Sequence, residues 1–206
     1  MELGELSAKY ESNGDPGTIS DGYGDAGGKS YGCYQFSSNK GVPQAFIEWL
    51  TQSGSTYGPT LANAGEVGSD AFDTDWEYIA TKDQSGFKSL QQGYVKIQYY
   101  DAAVTSLHGA LYVASKHTDI MQNVIWSRSV QYGVGNIVDM FTEAVKSLSY
   151  DNLSYVDDAR FDGDMIKAIY LNVCSTPEWT DGSPSLRESL YNRFTNECND
   201  ALANLQ

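Results

Sequence analysis

The sequence predicts an all-α fold with at most a small β element. Apolar residues recur at helical spacing along most of the chain. The strict apolar–polar alternation of half-buried strands is nearly absent. A stretch rich in Gly, Asp and Ser over 13–30 is made of turn formers, and it leaves room for a short β piece.

The elements follow in order. "MELGELSAKYES" reads as a short helix with Leu3 and Leu6 on one face and Tyr10 a turn later. After the polar loop, "YGCYQFSS" is a short ordered piece. "VPQAFIEWLTQ" spaces Val42, Phe46 and Leu50 at i, i+4 and i+8, and Pro43 suits a first helical turn. "TYGPTLANAGEVGS" reads as a loop because of its glycines and proline. "DAFDTDWEYIA" puts Phe72, Trp76 and Ile79 on one face. The longest periodic stretch, "SGFKSLQQGYVKIQYYDAAVTSL", aligns Phe87, Leu90, Tyr94 and Ile97. "DIMQNVIWSRSVQYG" and "NIVDMFTEAVKSL" form two helices parted by Gly133 and Gly135. "DARFDGDMIKAIYLNV" and "PSLRESLYNRFTNECNDALANL" complete the set.

A chain of 206 residues suits a single domain, 1–206, and can bury a sizeable core. No apolar run approaches the roughly 20 residues of a membrane span. No basic region followed by an apolar one opens the chain, so a signal peptide is not expected. A net charge of −14 argues against nucleic acid as a partner, because phosphate contacts need clustered Lys and Arg. Cys33, Cys174 and Cys198 are far apart, no CxxC pair exists, and His108 and His117 have no nearby thiol. That excludes an ordinary zinc site, and neither metal nor organic cofactor is expected. Buried, reduced cysteines are the plain expectation, with a Cys174–Cys198 disulfide as the alternative. "GYGDAGGKS" lacks the spacing of a phosphate loop, and "DGYGDAGG" lacks the ligand order of an EF-hand.

One chemistry fits the start of the chain. Cleaving a glycosidic bond needs a carboxylic acid that stays protonated near neutral pH, which partial burial among aromatic groups achieves. Glu11 ends the first helix, and Tyr10, Tyr31 and Tyr34 are available to crowd it. Asp25, in "GYGDAGG", is the candidate second carboxylate, where glycines let the backbone approach a sugar. Trp49, Trp76 and Trp126 sit at helical spacing and read as core, whereas Trp179 is freer to be exposed.

These residues resemble the lysozyme-like superfamily. "YES", Ser20 nine residues after the Glu, and "SYGCYQFSS" are similar to the pattern of glycoside hydrolase family 23, the lytic transglycosylases and goose-type lysozymes, including phage endolysin and tail-lysin domains. The resemblance implies a lysozyme-like fold with Glu11 as general acid and Asp25 as a base. It also implies Ser20, Tyr31 and Gln35 as groove ligands, with Gln131 and Tyr132 of "WSRSVQYGVG" as a later element facing the acid. The sequence departs from the pattern at Tyr34, where Met is usual, and at Ser37, where goose-type enzymes often carry Asp.

The expectation is therefore a monomeric bacteriolytic glycosidase acting on peptidoglycan glycan strands between N-acetylmuramic acid and N-acetylglucosamine. It would be made in the host cytoplasm and released by a holin-type route, or carried by a virion. The alternatives are a lytic transglycosylase giving 1,6-anhydro ends, a chitinase- or chitosanase-like enzyme, and a non-catalytic wall-binding structural module of a phage.

Overall fold

The computed structural model describes residues 1–11, 14–22, 28–181 and 186–205, with Glu11 described by its backbone alone. The fold is mostly helical with one small three-stranded sheet. It comprises α1 (Glu5–Glu11), β1 (Ile19–Ser20), β2 (Ser30–Tyr31), β3 (Phe36–Ser37), α2 (Val42–Gln52), α3 (Tyr57–Ala62), α4 (Asp70–Lys82), α5 (Gln84–Val95), α6 (Ala102–Gly109), α7 (Asp119–Tyr132), α8 (Ile137–Ser147), α9 (Asp162–Lys167), α10 (Pro177–Thr180) and α11 (Arg187–Ala203). The expectation of one domain over 1–206 resolves into two compact units: Glu11–Val95 is one, and Met1–Tyr10 with Lys96–Gln206 is the other.

In the unit Glu11–Val95, the predicted α2 and α4 form with their apolar faces buried. Phe46, Leu50, Phe72, Trp76 and Ile79 are all interior. Their rings pack as an aromatic cluster, with Trp76 and Phe87 centroids 4.8 Å apart and Phe46 and Tyr94 5.3 Å apart. Ser69 starts α4, its hydroxyl accepting from the Phe72 amide at 3.3 Å. Residues 57–62, expected as loop, are helical. Gly58 packs so closely on α2 that a Cβ would stand 2.6 Å from the Thr51 amide nitrogen. Leu61 is fully buried, so packing overrides weak propensity here.

The long periodic stretch differs from its expectation. Between α5 and α6 the backbone is π-helical over Lys96–Asp101. The wider turn changes the register by which side chains face inward. Ile97, expected beside Tyr94, is 50% exposed, and Tyr100 is buried instead. A second π-helical segment, Ala168–Val173, follows α9.

The other unit is built around α7. The helix starts at Thr118, whose hydroxyl accepts from the Met121 amide at 3.2 Å. Nine of its residues, Ile120, Met121 and Asn123–Ser129, are buried, so it is covered on every side rather than along one stripe. One of them, Arg128, carries a charge that demands a partner and finds it in Glu197 of α11: both side chains are fully buried, and the guanidinium donates to the carboxylate at 2.9 Å. Ser127 also donates to Glu197. The guanidinium lies 4.5 Å from the Tyr170 ring centroid and 5.1 Å from that of Phe194.

The cysteines are thiols, all three buried, and Cys174 and Cys198 are not joined. Burial pushes the Cys33 and Cys198 thiols up to about 11 and raises that of Cys174 as well. The thiolate is the reactive form. In the native protein at about pH 8, all three thiols should therefore react with an aromatic disulfide reagent on the order of a hundredfold slower than after unfolding in guanidinium, which absorbance of the released thiolate would check.

Removing one partner of a buried ion pair strands the other charge. Glu197→Gln should destabilise the protein by about 3–5 kcal/mol in urea unfolding, while Arg128→Met combined with Glu197→Leu should cost clearly less.

Candidate functional site

The expected site residues fall in both units. In the unit Glu11–Val95, the sheet holds three of them. β1 pairs antiparallel with β2 (Ile19 opposite Tyr31, Ser20 opposite Ser30), and β2 pairs with β3 (Ser30 opposite Ser37, Tyr31 opposite Phe36). Ser20 is half-buried on β1. Tyr31 is fully buried, its ring edge-on to Phe72 at 5.3 Å, and its hydroxyl donates to Asp73 at 2.6 Å. Lys29 reaches the other oxygen of Asp73 at 2.5 Å and the Gly68 carbonyl at 2.9 Å. Burial first, and the Asp73 carboxylate second, push the Tyr31 hydroxyl well above its ordinary range. Tyr31 therefore anchors the sheet to α4.

Gln35 occupies the tight turn between β2 and β3 at φ +49°. Its side-chain amide turns back to donate to the Gly32 carbonyl at 3.0 Å. Gly32 itself, at φ +75°, leaves no room for a side chain: a Cβ would be 2.2 Å from Gln91 Oε1. Gln91 is fully buried on α5. It accepts from the Cys33 amide at 2.8 Å and donates to the Pro16 carbonyl at 3.0 Å, to which Trp76 Nε1 also donates at 2.9 Å. This pins the 14–17 loop to α4 and α5. That loop edges an open groove of about 490 Å³ lined by Asp15, Gly17, Glu77, Ala80, Thr81 and Gln84. Hydroxyl, amide and carboxylate groups make up most of its wall.

Glu11 closes α1. Its side chain, and Asp25 entirely, lie outside the described residues. The rest of α1 is firmly held: Asn123 Oδ1 accepts from the Gly4 amide at 2.9 Å, the Tyr10 hydroxyl donates to Asp200 at 2.5 Å, and Lys9 pairs with the same carboxylate. The Lys9 and Tyr10 donors hold the Asp200 carboxyl below its usual range.

In the other unit, Gln131 and Tyr132 end α7 side by side. The Tyr132 ring stands edge-on to Trp179 at 5.3 Å, and the Arg128 guanidinium is 5.6 Å from its centroid. The Tyr132 hydroxyl and Gln131 Oε1 are buried polar atoms without a hydrogen-bond partner among the described residues. Trp179, expected at the surface, is half-buried and donates to Glu143 at 2.8 Å. The Glu143 charge, above all, raises the neighbouring Glu178 carboxyl.

Sequence reasoning missed Asp73, Gln91 and the groove residues Asp15 and Glu77. Asp73 and Glu77 sit on the polar side of a well-formed amphipathic pattern, and only tertiary packing gives them partners or a groove. Among the described residues, no group of three or more His, Cys, Asp or Glu could hold a metal ion. No helix among them is long and apolar enough to cross a membrane.

A family described as the C-terminal part of type VI secretion system spike protein VgrG3-like proteins matches residues 3–198. The type VI secretion system spike protein VgrG3 of Vibrio cholerae serotype O1 is 37% identical over 132 residues, 64% of this chain. The match spans only 12% of that protein's length. These findings overturn the glycoside hydrolase family 23 assignment, and with it the reading as a phage endolysin with muramidase activity. The motif residues explain how the resemblance arose. Gly32 makes room for Gln91, Gln35 closes its own turn and Tyr31 braces the sheet, so each has a local structural role. Of the expectations, the virion-carried location agrees loosely with a family named for a secretion spike, and the alternative of a structural module agrees with it better than the bacteriolytic enzyme does. The chain belongs to the type VI secretion system spike protein VgrG3-like C-terminal family.

Proposed function

We propose that the chain is a terminal module of a type VI secretion spike that binds the glycan strands of bacterial peptidoglycan. The observation that carries this reading is the open groove of the unit Glu11–Val95, walled by Asp15, Glu77, Thr81 and Gln84. Its described wall offers two carboxylates, one amide and one hydroxyl, and no Lys or Arg is among the described residues that line it. Such a wall suits a neutral, hydroxyl- and amide-bearing polymer and disfavours a polyanion. Gly17 lies against α4, where a Cβ would meet Ala80 Cβ at 2.9 Å, so the groove edge is built from bare backbone. Spike membership supports the partner: a module thrust at an envelope meets its wall polymer.

A second reading adds cleavage, favoured by one observation. α1 stops at Glu11, four residues before groove residue Asp15. A protonated carboxylic acid placed there would donate its proton to a glycosidic oxygen as the bond breaks. Attack on the same anomeric carbon by the sugar's own 6-hydroxyl, whose proton passes back to the now ionised carboxylate, would then give a 1,6-anhydro end without an added water, the outcome of lytic transglycosylation.

Co-sedimentation with purified sacculi tests the first reading, and chromatography of the soluble products tests the second. The protein should pellet with sacculi from which anionic polymers have been stripped; protein left wholly in the supernatant would defeat the binding reading. If strands are cut, anhydro-muropeptides should appear, and Glu11→Gln should lower their yield by about 10²-fold or more while pelleting is unchanged. Sacculi incubated without any release of soluble fragments would dispose of cleavage and leave binding intact.

The charge of −14 makes a further expectation. On walls that keep their anionic polymers, long-range repulsion should weaken as the Debye length falls from about 30 Å at 0.01 M salt to about 8 Å at 0.15 M. Pelleted protein should increase across that range on such walls and stay nearly constant on stripped ones. A steady fall with salt on both would show attraction by local basic groups instead.

A further inference from the structure

The segment after α8 presents aromatic rings that the fold does not use. Ser149 turns the chain at φ +69°. Asn152 Oδ1 accepts from the Ser154 amide at 3.1 Å and its hydroxyl at 2.6 Å, closing a short turn over Leu153–Val156. Leu153 and Val156 are buried and fasten the turn to the body of the unit. Asp158 closes the next turn by accepting from the Arg160 amide at 3.0 Å. Against this fixed backbone, Tyr150 is 36% and Tyr155 56% exposed. Their rings lie nearly parallel, 19° apart in plane, with centroids 6.2 Å apart. Phe161 stands edge-on to Tyr150 at 5.8 Å, and the Arg160 guanidinium covers Phe161 at 4.9 Å.

Single exposed apolar residues need no explanation, but a braced cluster of rings does. A ring more than half exposed returns little of the burial free energy that would justify holding it in one place. The charges around the cluster narrow the ligand. Asp157 is engaged by the Val113 amide and by Lys116, and Asp162 by His117 and Thr118. The charged groups left at the surface of this segment are Asp151, Asp158 and Arg160. One guanidinium beside two carboxylates, on a chain of −14, does not attract a polyanion. A stable protein partner needs roughly 800 Å² on each side, and these few rings lie among exposed polar residues such as Ser154 and Asp151. A pyranose ring fits: its flat C–H face matches a tyrosine ring, and its hydroxyl and acetamide donors match the carboxylate oxygens nearby.

We propose that Tyr150 and Tyr155, buttressed by Phe161, form a second glycan contact that stacks the sugar rings of a β-linked N-acetylated amino-sugar strand. This rests on the wall-binding reading above, but the site is separate from the groove and no residue is shared.

The test compares the wild type, Tyr150→Ala/Tyr155→Ala, Tyr155→Phe and the milder Tyr155→Ser on sacculi stripped of anionic polymers, with thermal midpoints as the check on folding. The double variant should need at least about tenfold more sacculi for half-maximal pelleting, Tyr155→Ser should shift the same way, and Tyr155→Phe should bind as the wild type does. If the double variant pellets like the wild type, the ring contact is overturned and the wall-binding reading stands. If the wild type itself does not pellet, both fall. If Tyr155→Phe loses as much as Tyr155→Ser, the phenol oxygen and not the ring face carries binding, and stacking is overturned. Should the double variant fold poorly, Tyr155→Ser decides alone, because that side chain is the more exposed of the two.

Discussion

The ion pair between Arg128 and Glu197 is the constraint around which the larger unit is organised. Neither side chain touches water, so the charges must be met inside the protein, although Arg128 Nε has no partner among the described residues. That need sets the neighbours. Glu197 takes Ser127 and Arg128 from α7 and lies within 3.6 Å of Arg193 on its own helix. Arg128 takes the ring faces of Tyr170 and Phe194 from the π-helical segment and α11. Helix α7 is covered on every side because a charged residue at its centre has to be shielded from several directions at once. The same helix carries Gln131 and Tyr132 at its end and accepts the backbone of α1 through Asn123. The helix that ends at Glu11 is thus held by the element that holds the buried charge.

In the smaller unit the comparable constraint is the Gln91 side chain. One amide ties the β2–β3 turn to the 14–17 loop by accepting from the Cys33 amide and donating to the Pro16 carbonyl. Its space is available only because residue 32 is glycine. Asp73 performs the parallel service on the other side of the sheet, collecting Lys29 and Tyr31. A sheet of two-residue strands has too few ladder hydrogen bonds to stand alone, and these side-chain ties supply what it lacks. The groove edged by Asp15 and Gly17 is a consequence of that pinning.

The short motif around Glu11 misled for a physical reason. A serine on a strand and a Gly-x-x-Gln turn also serve a small sheet pinned by side-chain hydrogen bonds. Tyr31 and Gln35 spend their polar groups on Asp73 and Gly32 within the fold. A pattern confined to 9–38 therefore resembled one family, while the match over residues 3–198 belongs to another. What survives is coarser: a mostly helical fold with a small sheet after α1.

The sequence by itself determined the helices whose apolar period is regular, α2, α4 and α8, because burying such a face is favourable in almost any context. Spacing also favoured three reduced cysteines over a Cys174–Cys198 disulfide, and the structure has them as free thiols. Tertiary structure alone decided the rest. Residues 57–62 became helical because Gly58 and Leu61 found α2 and the core. Ile97 and Tyr100 exchanged inside and outside because a π turn altered the register. Trp179 turned inward to Glu143, and Arg128 joined Glu197 across 69 residues. Each of these depends on a partner distant in sequence, and periodicity registers only the neighbours one or two turns away.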